Sequence, residues 1–186
     1  MYRLFSYTLL SICLSLPTKS WADQVLYRNA GGYGCSACHG KYANGAGNVG
    51  GNIRGASLAQ LNSALNNEPS MLLLASVLTK QQRRSLSAYL ESLGKMHLVE
   101  WTISDSFAHS NLNIHIGEPS QLVVKNDTFS SISIDLSPLG AATTLQVAPL
   151  DTEAFTFTPA SESSTTTLAT ANQKNTLNLI KQEEAQ

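Results

Sequence analysis

The chain has 186 residues, of which 42% are hydrophobic and 13% charged, and its formal net charge is −1. This length is sufficient for one ordinary domain or for two small ones. The almost neutral charge argues against nucleic acid or an anionic membrane surface as the main partner.

The first 22 residues have the pattern of a signal peptide. Arg3 supplies the positive charge, Leu4 to Leu16 form a mostly apolar stretch, and Ala22 supplies the small residue before a cleavage site. A membrane span needs roughly 20 apolar residues, so this stretch favours a cleaved signal over the alternative of a retained anchor. We therefore expect an exported, periplasmic protein with no transmembrane span after cleavage.

The sequence GGYGCSACHG places Cys35 and Cys38 two residues apart, with His39 directly after. A disulfide across so small a loop would stabilise little. Zinc usually requires a second spaced pair of ligands, and a thioredoxin-like pair requires a preceding strand where this chain has glycines. The spacing C-x-x-C-H is the attachment signature of c-type haem, which uses all three residues. It predicts one covalently bound haem c, with His39 as the proximal iron ligand.

A low-spin haem needs a second strong axial ligand, usually methionine or histidine. Met71 follows a proline-containing turn and precedes a predicted helix, so we expect it to be the distal ligand. Met96 and His97 lie after the last helix and are weaker candidates. The alternative for Met71 is a role in core packing.

Three helices are predicted in this half. The first covers residues 23–29, with Val25, Leu26 and Tyr27 as candidate core residues. The second is capped by Ser57 and carries leucines on one face. Thr79 and Gln82 form a capping box for the third, which carries an apolar stripe and ends at Gly94.

Residues 23–96 resemble a class I cytochrome c domain. The resemblance rests on CSACHG (35–40), GGNIRG (50–55), a methionine at 71, and LTKQQRRSLSAYLESL (78–93). It implies a small α-helical fold that transfers single electrons, with haem on Cys35 and Cys38 between His39 and Met71. It also implies a contact between Arg54 and a haem propionate, with a solvent-facing arginine as the alternative. The family often has a proline where this chain has Gly51, whose carbonyl could orient the proximal histidine in the same way.

The second half, residues 98–186, changes character. Alternating apolar and polar residues separated by turn signals predict several short strands. The expected strands lie within 112–117, 120–127, 130–136, 143–150, 153–159 and 165–170, with a last strand after 174. Short strands with frequent turns predict a small antiparallel sandwich.

The order of these strands resembles a cupredoxin-like domain. A blue-copper site needs two histidines and a cysteine, and this half contains no cysteine. We therefore expect no copper, and we expect His109 and His115 to be surface or strand residues.

The expected fold is thus two-domain, with an all-α cytochrome c domain followed by an all-β antiparallel sandwich. The expected function is that of an exported mono-haem cytochrome that carries single electrons between redox proteins and is not an enzyme. The β domain would serve docking or assembly, including assembly into a larger complex. The alternative is a haem-based sensor or small haem enzyme with a labile sixth ligand.

Overall fold

The computed structural model describes residues 19–160 and 164–182, and within these ranges the chain forms five α-helices followed by eight strands. The helices are α1 (Lys19–Asn29), α2 (Ser36–His39), α3 (Leu58–Asn67), α4 (Leu72–Val77) and α5 (Lys80–Gly94). The predicted signal peptide lies outside the described residues except for 19–22, which belong to α1. None of the helices in the described ranges has the length and hydropathy needed to cross a bilayer.

Local capping chemistry fixes the start of two helices. Oγ1 of Thr79 accepts a hydrogen bond from the amide of Gln82 at 3.2 Å, and Oε1 of Gln82 accepts one from the amide of Thr79 at 2.9 Å. Ser57 and Gln60 form the same reciprocal pair at the start of α3. These boxes satisfy amide groups that the first helical turn leaves without partners. The predicted capping by Thr79 and Ser57 is therefore confirmed.

The helices pack around a core to which α5 contributes one continuous stripe. The stripe recurs at helical spacing and is buried throughout, as predicted: Leu86, Tyr89, Leu90 and Leu93. Tyr27 of α1 is fully buried and its ring centroid lies 5.5 Å from that of Tyr89. The prediction for Val25 is wrong, because about half of this side chain is exposed.

Eight strands follow α5. They are β1 (His97–Ile103), β2 (Ala108–His115), β3 (Ser120–Asn126), β4 (Ile132–Asp135), β5 (Thr144–Val147), β6 (Thr152–Phe157), β7 (Thr165–Ala169) and β8 (Asn175–Gln182). Seven of them correspond to predicted strands, while β1 was not predicted. It nevertheless shows the expected alternation, with Val99, Trp101 and Ile103 buried.

The strands form two three-stranded sheets and a two-stranded ribbon. Their orders are β1-β3-β6, β2-β8-β7 and β4-β5. The pairs β1–β3 and β2–β8 are parallel, whereas β3–β6, β4–β5 and β7–β8 are antiparallel. One hydrophobic core draws buried side chains from both sheets and the ribbon, including Trp101, Ile114, Leu122, Ile134 and Leu177.

Strand β3 is covered on both faces. Leu122 and Val124 point into the core of the β half, and the alternate residues Gln121 and Val123 are also buried. On that second side, Nη1 of Arg54 donates to Oε1 of Gln121 at 2.6 Å. The helical half is therefore joined directly to sheet β1-β3-β6.

Ion pairs extend this junction. Nζ of Lys41 lies 2.9 Å from Oδ1 of Asp151 and 2.7 Å from Oε1 of Glu153, next to the start of β6. The hydroxyl of Tyr42 donates to Oε2 of Glu153 at 2.8 Å. The junction thus consists of charged and polar side chains that neutralise and satisfy one another.

These observations correct the expected fold class. The β half is not an all-antiparallel sandwich, because two of its strand pairs are parallel. The helices do not stand as a separate all-α cytochrome c domain, because their loops bond to one face of sheet β1-β3-β6. The described chain instead combines mixed β sheets with helices attached to them. The predicted domain limits, 23–96 and 98–186, stay a prediction.

Candidate functional site

A cavity of about 540 Å³ lies within the helical half. Cys35, Cys38 and His39 line it together with Met71, and Arg54 also contributes to its lining. Much of the remaining wall is apolar, from α3, α4 and α5: Leu61, Ala64, Leu74, Leu86 and Leu90. The five residues singled out from the sequence as site residues therefore border one cavity.

Helix α2 positions the first three of these residues. It begins directly after Cys35, and the amide of His39 donates to the carbonyl of Cys35 at 2.9 Å. Gly34 precedes it with φ of +69°, and a Cβ atom there would overlap the carbonyl of Arg28. Only glycine fits that position without strain, so Gly34 allows Cys35 to follow α1 so closely.

The imidazole of His39 is oriented by the loop that follows it. The carbonyl of Gly51 accepts a hydrogen bond from Nδ1 of His39 at 2.9 Å. This bond places the proton on Nδ1 and leaves Nε2 with a free lone pair for a ligand. Gly50 lies against the same ring, since a Cβ atom there would be 2.5 Å from Nδ1. The hydrogen bond thus gives a geometric basis for the expected role of the Gly51 carbonyl, which is to orient the imidazole of His39.

Cys35 and Cys38 are both free thiols. Cys35 is buried, and this burial raises the pKa of its thiol to about 11. It is therefore protonated at neutral pH and is a weak nucleophile by itself. A low-pKa redox thiol, as in a thioredoxin-like pair, does not match this environment.

Met71 reaches the cavity from the loop before α4. Its backbone caps that helix, and its side chain packs against the helical core. Met96 and His97 do not line this cavity. His97 lies instead in β1, where Nε2 faces the carbonyl of Asn113 at 3.2 Å. Of the three candidates for a distal ligand, only Met71 lines the same cavity as His39.

The guanidinium of Arg54 is directed into the junction between the two halves. Besides Gln121, it donates through Nη2 to the carbonyls of Leu93 at 2.7 Å and Met96 at 3.3 Å. Burial lowers the pKa of Arg54 from its usual value, although a guanidinium stays charged at any ordinary pH. These bonds assign its guanidinium to joining the halves rather than to a cofactor.

The histidines of the β half are separated. Nδ1 of His109 lies 2.5 Å from Oγ1 of Thr176 on an exposed sheet face. The ring centroid of His115 lies 5.8 Å from that of His97. Within residues 19–160 and 164–182, no group of three or more His, Cys, Asp and Glu side chains could hold a metal ion.

Sequence reasoning did not anticipate the rest of the cavity wall. Gln60, Leu61 and Ala64 of α3 line it, and Glu68 and Ser70 follow in the loop before Met71. The available signal is the helical spacing of the α3 residues, which predicts a core face. Helical spacing alone cannot distinguish a helix face that lines a cavity from a helix face that packs into a filled core.

No family model matches the chain, and no curated protein matches it. Several solved copper-protein structures are similar to part of it. A laccase from Pediococcus acidilactici shares 14% identity with a TM-score of 0.35, covering 40% of this chain and 20% of its own. The blue copper oxidase from Nitrosomonas europaea shares 15% with a TM-score of 0.39, covering 49% and 40%. Reduced auracyanin from Roseiflexus castenholzii shares 13% with a TM-score of 0.36, covering 48% and 99%.

The chain thus spans only a fifth of the laccase, and these similarities extend over about half of the chain at most. The cupredoxin-like resemblance expected from the sequence of residues 98–186 stays a prediction at these TM-scores.

The same findings contradict the predicted cofactor and the cytochrome c classification. No family model supports a class I cytochrome c domain, and none of the similar structures reported above is named as a haem protein. Haem c is therefore not retained as the cofactor, and the associated propionate contact of Arg54 is not retained either.

Proposed function

We propose that the protein is a single-electron carrier whose redox centre lies in the cavity bordered by Cys35, Cys38, His39 and Met71. The observation that carries this proposal is the convergence of two thiols, one imidazole and one thioether on a single cavity. These are soft sulfur and nitrogen donors, although the described residues contain no group of three His, Cys, Asp or Glu side chains that could hold a bare metal ion.

The cavity is built to keep a redox group in place. The bond from His39 to the Gly51 carbonyl fixes the imidazole, and Gly50 packs against the same ring. Its volume of about 540 Å³ is far more than the roughly 30 Å³ that one water occupies in the liquid. Apolar side chains from three helices form much of the wall. A fixed ligand and a largely apolar wall reduce the rearrangement that accompanies a change of charge.

We propose that the protein carries electrons and does not convert a substrate. Three of the four donors lie in α2 and its cap, and the fourth caps α4, so backbone hydrogen bonds hold the segments that carry them. Carriers benefit from ligands that do not move between redox states, because each movement would add to the barrier for electron transfer. Nothing in this wall requires a donor to leave its place during a redox cycle.

We further propose that the protein acts outside the cytoplasm with redox proteins as donor and acceptor, as a free carrier or as a subunit of a larger complex. The pattern of residues 1–22 supports export. The β half would position the cavity against a partner, because the junction through Arg54 and Lys41 joins the two halves.

The test is to express the full chain in a bacterium that exports it and to measure three properties of the purified protein. These are the intact mass, the content of iron and copper, and the reversible one-electron wave in protein-film voltammetry. Wild type is compared with the double variant Cys35→Ser/Cys38→Ser and with Met71→Ala. We expect the double variant to lose the wave and Met71→Ala to shift its potential.

Met96→Ala is the matched control, because Met96 is the other methionine of the helical half and does not line the cavity. Its wave should equal that of wild type. A wave that survives unchanged in the double cysteine variant would place the redox centre elsewhere and refute the proposal, and so would the absence of any wave in wild type.

A further inference from the structure

A second cavity, of about 610 Å³, lies where α1 and α5 meet sheet β1-β3-β6. It shares no lining residue with the first cavity. Its polar wall includes Arg28, Tyr89, Gln121 and Glu153. We call it the junction cavity.

Two buried donor atoms of the junction cavity have no hydrogen-bond partner. They are the hydroxyl of Tyr89 and Nε of Arg28. Tyr89 is only 7% exposed, so leaving its hydroxyl without a partner carries a real cost in free energy. Burial also raises the pKa of Tyr89, which keeps the hydroxyl protonated and able to donate. The nearby side chain of Gln24 counteracts part of this rise but does not meet hydrogen-bond geometry with the hydroxyl.

Arg28 is held in place but retains this free donor. Its guanidinium lies over the ring of Tyr42 at 5.5 Å, and Nη2 donates to the hydroxyl of Tyr42 at 3.4 Å. These contacts fix the orientation of the side chain. Nε is left as a charged, preorganised donor.

The acceptor on the opposite side is already occupied. Oε1 of Glu153 accepts from Lys41, and Oε2 accepts from the hydroxyl of Tyr42. Glu153 is the only acidic residue among the described residues that line the cavity. The junction cavity therefore has two unused donors, one of them on the charged guanidinium of Arg28, but no unused oxygen on Glu153.

The wall also includes apolar side chains. Leu93, Met96 and Ala154 lie alongside the polar groups, which further include Gln24, Ser92 and Thr156. A ligand that satisfied both the unpartnered donors and the apolar side chains would combine a pair of anionic oxygens with a hydrocarbon body. We propose that the junction cavity binds a small organic carboxylate, whose oxygens accept from Nε of Arg28 and the hydroxyl of Tyr89.

Isothermal titration calorimetry on the full chain tests this proposal, with benzoate as the probe. Benzamide has the same shape without the charge, and inorganic phosphate has the charge without the apolar body. We expect benzoate to bind more tightly than either. Tyr89→Phe removes only the hydroxyl and should weaken benzoate roughly tenfold, the typical effect of one hydrogen bond to a charged group.

Tyr33→Phe is the matched control, because Tyr33 is exposed and does not line the cavity. It should bind benzoate as wild type does. Equal affinity of wild type and Tyr89→Phe for benzoate would overturn the proposal. So would benzamide binding as tightly as benzoate, phosphate binding more tightly than benzoate, or no benzoate binding to wild type.

Discussion

Nη1 of Arg54 donates to Oε1 of Gln121 at 2.6 Å, and this bond connects the loop before α3 to the central strand of sheet β1-β3-β6. The same guanidinium also serves the carbonyls of Leu93 and Met96 at the end of α5. One side chain therefore holds a loop, a helix end and a strand together. Its removal would leave four acceptors without their donor, since Nη1 also donates to the carbonyl of Tyr42 at 3.4 Å.

Arg54→Met should lower the free energy of unfolding by about 2–4 kcal/mol, because it removes a half-buried hydrogen-bonded charge and leaves its acceptors unsatisfied. Urea denaturation followed by circular dichroism measures this change. Arg84→Met is the matched control, since Arg84 lies exposed on α5. An equal effect of the two substitutions would show that the junction contributes no more than an ordinary surface arginine.

Gly94→Ala should be destabilising, because a Cβ atom at position 94 would overlap the Cα of Gly55. Overpacking of this kind costs about 1–3 kcal/mol. At Gly51 a Cβ atom would meet nothing within 4 Å, so Gly51→Ala should be almost neutral. Thermal unfolding of both variants gives the comparison, and a Gly94→Ala protein as stable as Gly51→Ala would contradict the close approach of α5 to the Gly55 loop.

The ion pair between Lys41 and Asp151 should make stability depend on pH in the acid range. Burial by itself raises the pKa of Asp151, but hydrogen bonds from Lys41 and the amide of Thr152 outweigh it, so the net pKa lies below its usual value. A lowered pKa in the folded state stabilises the protein above the pKa of the unfolded state. That contribution is lost as pH falls through the folded value, below about pH 4.

Asp151→Asn should therefore reduce the fall in unfolding free energy between about pH 5 and pH 3, measured by denaturation at each pH. Asp105→Asn provides the comparison, because Asp105 is exposed and forms no salt bridge among the described residues. If Asp151→Asn and wild type lose stability in parallel over this range, the carboxylate of Asp151 is not responsible.

Thr79→Ala should cost about 1 kcal/mol of stability, since it removes the side-chain oxygen that accepts from the amide of Gln82. Ser85→Ala is the control, because it removes a hydroxyl from a half-buried position inside the same helix, where alanine has the higher helix propensity. It should therefore leave stability unchanged or slightly raised. Chemical denaturation of the two variants side by side is the measurement. A loss for Thr79→Ala no greater than that for Ser85→Ala would argue against the capping box.

Features that depend on neighbours in the sequence were predictable. The Thr79 box and the stripe from Leu86 to Leu93 follow from spacings of three and four residues. The grouping of Cys35, Cys38 and His39 follows from their adjacency. By contrast, the sequence did not predict β1. This strand begins only three positions after α5 ends, so its first residues could equally be assigned to the end of the helical half.

Features that depend on distant residues were not predictable. The parallel pairing of β2 with β8 joins residues such as Asn111 and Asn178, which are 67 positions apart. No local pattern distinguishes this pairing from an antiparallel one. The bond between Arg54 and Gln121 spans the same separation, so the sequence suggested a cofactor contact where the structure has a junction.

The position of β8 also has a consequence for the order of folding. It is the last strand in the described part of the chain, yet it lies at the centre of sheet β2-β8-β7. During synthesis from the N-terminus, β2 and β7 therefore emerge before the strand that joins them. The pairing of β7 with β8 is local, whereas that of β2 with β8 joins residues such as Asn111 and Asn178 and closes slowly, which leaves β2 with an unpaired edge in the meantime. A chain shortened before Asn175 would keep that edge exposed and should aggregate rather than fold.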